Sequence, residues 1–224
     1  AAATLGLRTI EGIDRPALAA VIPAPANEFL LLDAGANVEC KPAHLAQFAV
    51  LGKTYATEVQ GKTQPRVGLL NVGSEDVKGT EMIREAHQLC RGLNLNFVGN
   101  LEGRDLFSNH ADVVVTDGFV GNIVLKTTEG LAAGLFGWLR EAMEENPKRQ
   151  LGAFLTKNAF RSIQERHDPD TLGGAPLLGL RRPVIIAHGN ARAAAIAKAL
   201  AQAATAVSQK LTQRIAAATE ALNS

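Results

Sequence analysis

Polar side chains that could handle an anion recur at one kind of place in this chain, directly after a short apolar run and beside a glycine. Phe29–Leu32 runs into Asp33-Ala34-Gly35-Ala36-Asn37, and residues 67–70 run into Asn71-Val72-Gly73-Ser74-Glu75. Val113–Val115 leads through Thr116 to Asp117-Gly118-Phe119-Val120-Gly121-Asn122, and residues 184–186 lead through Ala187 to His188-Gly189-Asn190. A glycine turn that opens a helix exposes backbone N–H groups, and the helix dipole adds a preference for negative charge. Residues 73–80 have this form and add a cation, Lys78; residues 117–122 have it and add the amide of Asn122, both donor and acceptor. The chemistry such a set suits is the binding of phosphate or a carboxylate, with catalysis by positioning and charge stabilisation.

Other chemistries fit poorly. The spacing from Gly73 to Lys78 is not that of a Walker loop, and no Gly-x-Gly-x-x-Gly follows an apolar run, so a dinucleotide is not expected. Ser74 lies in no Gly-x-Ser-x-Gly elbow, and neither Cys40 nor Cys90 closes a strand with a histidine nearby, which argues against a covalent intermediate. No cluster of metal ligands is seen, and neither a cofactor nor a metal is expected. Each polar residue also has a purely structural reading. Asp33 and Asn37 could stabilise their turn, Lys78 could be a solvated lysine at a helix start, and His188 could be a satisfied structural histidine. Convergence of four strand ends on one edge of one sheet favours the functional reading.

The elements that must position these residues follow from the runs themselves. Continuous apolar runs are what strands covered on both faces look like, so they predict a mainly parallel sheet under helices, an α/β three-layer fold. In such sheets ligands bind outside the carboxyl ends of the strands, where Asp33, Asn71, Asp117 and His188 fall. A strand over 18–22 pairs with the one ending at Leu32 as a hairpin or close neighbours. Pro42 opens a helix, strand 66–70 follows, and a helix begins near Lys78 and reaches Leu89. A short strand over 94–98 ends in Gly99-Asn100, and after strand 112–116 a helix runs from about Phe119 to Met143. Asn146 and Pro147 break it, and a second helix over about 150–166 completes a protruding hairpin across 135–166. Residues 168–180 read as a glycine- and proline-rich loop, and a last alanine-rich helix spans 191–222, packed along its own domain or at a subunit interface.

The chain of 224 residues is 46% hydrophobic and 20% charged, the balance of a globular, soluble protein forming a single α/β region over 1–224. A net charge of +1 gives no general field for nucleic acid. Two isolated cysteines read as reduced thiols of a cytosol. No secretory signal opens the sequence, residues 1–5 read as the middle of an element, and Lys126 and Glu129 interrupt the greasiest helix, against a transmembrane span. Leu151, Phe154, Leu155, Ala159 and Ile163 recur at helical spacing beside Lys148, Arg149, Lys157 and Arg161, a face suited to a lipid interface. The same stripe could pack on the domain or on a second subunit, and Glu141, Glu144 and Glu145 oppose anionic lipid.

Read together, several stretches resemble the phosphate acyltransferase family of bacterial phospholipid synthesis. They are residues 12–18, Leu31-Leu32-Asp33-Ala34-Gly35-Ala36-Asn37, and Gly68-Leu69-Leu70-Asn71-Val72-Gly73 with Lys78-Gly79. Asn96 to Asp105, Asp112 to Asn122, Leu125-Lys126, Gly173 to Gly179 and Ala187-His188-Gly189 complete the set. The resemblance covers residues 10–190 in order. It implies transfer of a fatty acyl group from acyl-[acyl carrier protein] to inorganic phosphate, on a fold similar to phosphotransacetylases and isocitrate dehydrogenases. It also implies a homodimer, cytoplasmic, at the inner face of the membrane. By this resemblance Lys78 and Asn122 carry direct catalytic roles, and the polar strand ends and turns add Asp33, Asn37, Asn71, Gly73, Asn100, Asp117, Gly121 and His188 as expected substrate-binding residues. The family's opening strand and its Gly-Asn-Thr-Gly-Ala turn would precede Ala1, and Leu172, Asn190 and Ala191 depart from its pattern. A coenzyme A-dependent short-chain phosphotransacetylase is the rival enzyme. A non-catalytic fragment that binds acidic ligands or a partner is the rival of another class.

Overall fold

Residues 2–167 and 173–220 are described in a computed structural model of the chain. Seven strands form one sheet: β1 (Ala17–Ile22), β2 (Phe29–Leu32), β3 (Arg66–Leu70), β4 (Asn96–Leu101), β5 (Val113–Val115), β6 (Ala175–Leu178) and β7 (Ile185–Ile186). Their spatial order is β4-β3-β5-β2-β1-β6-β7. β4, β3, β5 and β2 are mutually parallel, β1 is antiparallel to both β2 and β6, and β7 is antiparallel to β6. Five strands therefore point one way and β1 and β7 the other. The expected hairpin is present, Ala19 opposite Leu32 and Ile22 opposite Phe29.

The described residues form seven α-helices: α1 (Ala2–Leu7), α2 (Pro42–Glu58), α3 (Glu81–Gly92), α4 (Gly118–Glu144), α5 (Pro147–His167), α6 (Ala193–Ser208) and α7 (Leu211–Glu220). Alternation along a strand sends successive side chains to opposite faces. Leu30, Leu32, Val113 and Val115 accordingly join a core cluster with Leu45, Phe48 and Leu51 of α2, Ile83 and Cys90 of α3, and Leu211 and Ile215 of α7. Phe29, Leu31 and Val114 face the other way, into a smaller cluster edged by Val124 and Leu125 of α4. Helix–sheet–helix layering follows, the three-layer fold the runs imply. Leu45, Phe48 and Leu51 are fully buried, each contributing roughly 1.5–3 kcal/mol.

Four elements differ from the sequence expectation. Ala175–Leu178, expected in a loop, is a strand, because the short β6–β7 ladder (Ala175 opposite Ile186) tolerates Pro176; residues 168–172, including Leu172, lie outside the described residues. The last helix is two: Lys210 adopts a left-handed φ of 54°, which turns the chain so that Leu211 and Ile215 enter the core beside α2. Residues 221 and 222 of that expected helix lie outside the described residues. β4 runs on through Leu101, with Val98 bulged between the pairs Val67–Phe97 and Gly68–Gly99. α3 starts at Glu81, because Thr80 caps it, its Oγ1 accepting from the Ile83 N–H at 3.3 Å. α5 packs against α4, with Pro147 opening it and Asn146 Oδ1 accepting from the Arg149 N–H.

Candidate active site

The carboxyl ends of β2, β5 and β3 are neighbours in the sheet, so Asp33, Asp117 and Asn71 open on one edge. His188 does not join them. β7 runs opposite to β2, β5 and β3, so its carboxyl end opens on the other edge, and the expected four-fold convergence is three-fold. His188 is exposed in the turn before α6, its Nδ1 accepting from the Asn190 N–H.

At the β2–β5 end, a fully buried carboxylate organises the backbone. Asp33 Oδ1 accepts from the N–H groups of Leu18, Gly35 and Ala36 at 2.9, 3.2 and 3.0 Å. Its Oδ2 accepts from the N–H and the side-chain amide of Asn37 at 2.6 and 2.8 Å. Five donors compensate the burial of the carboxylate, and its turn-stabilising role is direct. Asn37, also buried, donates to the Pro16 carbonyl at 2.8 Å. Onto this turn sits the start of α4. Asp117 caps it, Oδ1 accepting from the Val120 N–H at 2.9 Å, and the Gly118 N–H donates to the Asn37 carbonyl at 2.7 Å. A Cβ at Gly121 would fall on the Asp33 carbonyl oxygen, so only glycine permits this approach. One residue on, Asn122 is exposed and lies over Gly35, its side chain 3.4 Å from where a Gly35 Cβ would stand. The clamp thus presents the Asn122 amide and the α4 N-terminus outward.

Cys40 borders this cluster, its thiol donating to the Asn37 carbonyl at 3.7 Å. Burial, then the Asp33 and Asp117 carboxylates, push it up to about 11, so it stays a neutral thiol. Burial alone pushes Cys90 to about 12. Neither is an activated nucleophile.

At the β3–β4 end the same edge carries a loop, residues 71–79. Asn71 clamps its base, Nδ2 donating to the Lys78 carbonyl at 3.0 Å and Oδ1 accepting from the Val72 N–H at 2.8 Å. Gly79, φ +88°, lies against the Asn71 amide with no room for a Cβ. Gly73 is buried under the stem of Lys78. Asn100 is buried and donates to the Glu75 carbonyl at 3.0 Å. Lys78 stands exposed on this loop, ahead of the Thr80 cap and not within the first turn of α3 as expected, and its ammonium has no partner among the described residues. The site residues thus form two groups on adjoining strand ends: Asp33, Asn37, Asp117, Gly121 and Asn122 in one; Asn71, Gly73, Lys78 and Asn100 in the other.

Sequence reasoning missed the support behind Asn100. His87 Nδ1 lies 3.1 Å from Asn100 Oδ1 and its Nε2 stands beside Asp76 of the loop, and the available signal was His87 on the apolar face of α3, in line with Ile83 and Cys90.

Comparison with solved structures identifies the fold. The EutD phosphotransacetylase from Staphylococcus aureus superposes with a TM-score of 0.55 at 14% identity, covering 98% of this chain and 58% of that one. A phosphotransacetylase from Streptococcus pyogenes gives 0.53 at 18% identity, covering 97% and 57%. The family follows from sequence: residues 1–214 match the model described as "fatty acid synthesis protein", and the chain belongs to that family. A relative from Syntrophotalea carbinolica named phosphate acyltransferase is 46% identical over 210 residues, 94% of this chain and 60% of its own length. One of the same name from Bacillus subtilis is 47% identical over 204 residues, 90% and 61%. The chain thus spans about three fifths of the length of these relatives.

Proposed function

We propose that a protein carrying this chain transfers a fatty acyl group from acyl-[acyl carrier protein] to inorganic phosphate, giving acyl phosphate for phospholipid synthesis. The observation that carries this reading is the name phosphate acyltransferase on relatives 46–47% identical over nine tenths of the chain. The chemistry asks for a site that holds a phosphate dianion and stabilises an oxyanion. A phosphate oxygen attacks the thioester carbonyl, the C–O bond forms, the tetrahedral oxyanion collapses, and the C–S bond breaks. The proton of the hydrogen phosphate ends on the departing thiol, which balances the reaction. Lys78, exposed on its loop, supplies charge to phosphate; Asn122 and the N-terminus of α4 donate to phosphate or oxyanion. Asp33, Asn37, Asn71, Gly73, Asn100, Asp117 and Gly121 serve in this reading by holding those groups in place, and His188, expected from its strand end but lying at the other edge, takes no part in this step. Val38, Val72, Val77 and Phe119, exposed on the surrounding turns, favour an aliphatic acyl chain over acetyl.

Phosphate-dependent thioester cleavage by the full-length protein tests this. Long-chain acyl-[acyl carrier protein] should be consumed with formation of acyl phosphate, and acetyl-coenzyme A should not. Preference for acetyl-coenzyme A would establish the short-chain phosphotransacetylase, and no turnover of either would establish a non-catalytic fragment.

The protein is further proposed to be cytoplasmic and to act as a homodimer at a membrane surface. Among the described residues no helix is long and apolar enough to cross a membrane. The hairpin nevertheless exposes Leu135 and Trp138 on α4 and Leu151, Phe154 and Leu155 on α5, apolar area that a second copy and a lipid interface would cover. Flotation with anionic vesicles should be lost in Leu151→Glu/Phe154→Glu, and equal flotation of both proteins would remove α5 as the anchor. Sedimentation should report a dimer that Leu135→Glu/Trp138→Glu dissociates; a wild-type monomer would rule the dimer out.

A further inference from the structure

His87 is a buried, polar, ring-bearing residue that the reaction does not use, and it reaches the lysine loop along two routes. Its Nδ1 lies 3.1 Å from Asn100 Oδ1. The Asn100 amide is oriented by its other end, Nδ2 donating to the Glu75 carbonyl at 3.0 Å, so the oxygen faces the ring and accepts from His87 Nδ1. Glu75 in turn accepts the Lys78 N–H at 3.1 Å. On the second route His87 Nε2 stands 3.4 Å from Asp76 Oδ1, ion-pair distance without hydrogen-bond alignment, and Asp76 Oδ2 accepts from Arg91 at 2.8 Å. The ring is held edge-on to Phe97, centroids 5.0 Å apart, and only 3% of the residue is exposed. A rigid side chain on α3 therefore stands behind two consecutive residues just ahead of Lys78, linked to Glu75 through Asn100 and lying beside Asp76. The bulge at Val98 is what permits this, because a shifted register re-aims the following residues of β4, Asn100 among them, relative to β3.

We propose that His87 is a positioning residue for the 71–79 loop, acting through Asn100, with Asp76 beside its Nε2, to fix where Lys78 is presented. Lys78 itself is exposed, and the bonds that locate its backbone come from Asn71 on one side and from the His87 relay on the other. This role rests on the proposed phosphate site only for its catalytic consequence; the mechanical link stands on the hydrogen bonds alone.

Two readouts in the full-length protein separate these levels. The first is amide hydrogen exchange across residues 74–78, which needs no substrate. His87→Phe keeps the ring and its packing on Phe97 but removes both polar contacts, and it should speed loop exchange by about tenfold, the scale of one lost buried hydrogen bond. Exchange in α2 and β5 should not change. His87→Asn returns a donor toward Asn100 and should recover part of the protection. Asp76→Asn, at a half-exposed position where folding is not at risk, should speed loop exchange by a smaller factor. The second readout is the phosphate dependence of turnover, where His87→Phe should raise the phosphate KM with little change in kcat. Unchanged loop exchange in both His87→Phe and Asp76→Asn overturns the inference, and if His87→Phe does not fold, Asp76→Asn and His87→Asn decide it. Faster loop exchange with turnover that never depended on phosphate would uphold the link from His87 to the loop while removing the phosphate site.

Discussion

At the β2–β5 end of the site the Asp33 carboxylate faces inward, and at the β3–β4 end the Lys78 ammonium faces outward. Asp33 is fully buried and spends its carboxylate oxygens on five N–H donors of the protein itself, with Asn37 buried beside it. Lys78 stands exposed on a loop whose supporting bonds come from Asn71, Glu75 and Asn100. Acidic and basic residues at strand ends look alike in a sequence, yet here one sets a backbone and the other is free to meet a ligand. Damage at the two ends should therefore register in different measurements, stability at the first and phosphate handling at the second.

The sharpest way to break that division is Asp33→Ala. It leaves the N–H groups of Leu18, Gly35, Ala36 and Asn37 without their acceptor, so denaturant unfolding should show a loss of about 3–5 kcal/mol. A loss under about 1 kcal/mol would mean that the carboxylate is not a clamp.

Asn122 lies where the two behaviours meet, packed over Gly35 yet exposed. Asn122→Asp keeps the size but sets an anion above the Asp33 turn and, in the proposed function, beside the incoming phosphate. Turnover should fall by about 2–4 kcal/mol in transition-state stabilisation, at least as far as in Asn122→Ala, with unfolding unchanged. Near-normal turnover in the Asp variant would leave Asn122 only the shaping of its turn.

The opposite edge of the sheet supplies a contrast in which charge acts on stability alone. Burial raises the Asp112 carboxyl, but hydrogen bonds from Arg66 and Lys62 outweigh this and hold it at about 2. A carboxylate whose folded value is depressed stabilises the fold above its unfolded value and loses that contribution as pH falls from about 4 to about 2. At most about 2 kcal/mol should disappear across that window in wild type. Asp112→Asn should be less stable at pH 7 and show a flatter acid limb; an identical limb in both proteins would assign acid unfolding to other carboxylates.

Much of this arrangement was legible in the residues. Apolar runs of three to five residues read as strands covered on both faces, which holds for β2, β3 and β5, and the turns after Leu32, Leu70 and Val115 fell at one edge, as parallel pairing requires. Direction was not legible for β7: two residues carry no polarity signal, and only pairing to β6 turns them round, which sends His188 to the far edge. The break at Lys210 was hidden too, because lysine is a good helix former and the apolar stripe continues on both sides; burial of Leu211 and Ile215 decides it. The start of α3 was readable, since Thr80 followed by Glu81 is a capping signal that places Lys78 outside the helix. His87 was visible as a residue on an apolar face, but its partners depend on the bulge in β4, which a sequence does not announce.

In the proposed function Lys78 meets phosphate without supporting the fold. Phosphate saturation of turnover, measured for wild type and Lys78→Ala in the full-length protein alongside thermal unfolding, tests this most directly. Lys78→Ala should lose about 2–4 kcal/mol in turnover at fixed phosphate, equivalent to a steeply raised phosphate requirement or abolished activity, with stability changed by no more than about 0.5 kcal/mol. An unchanged phosphate dependence, or a fall in stability large enough to explain the lost turnover, would contradict it.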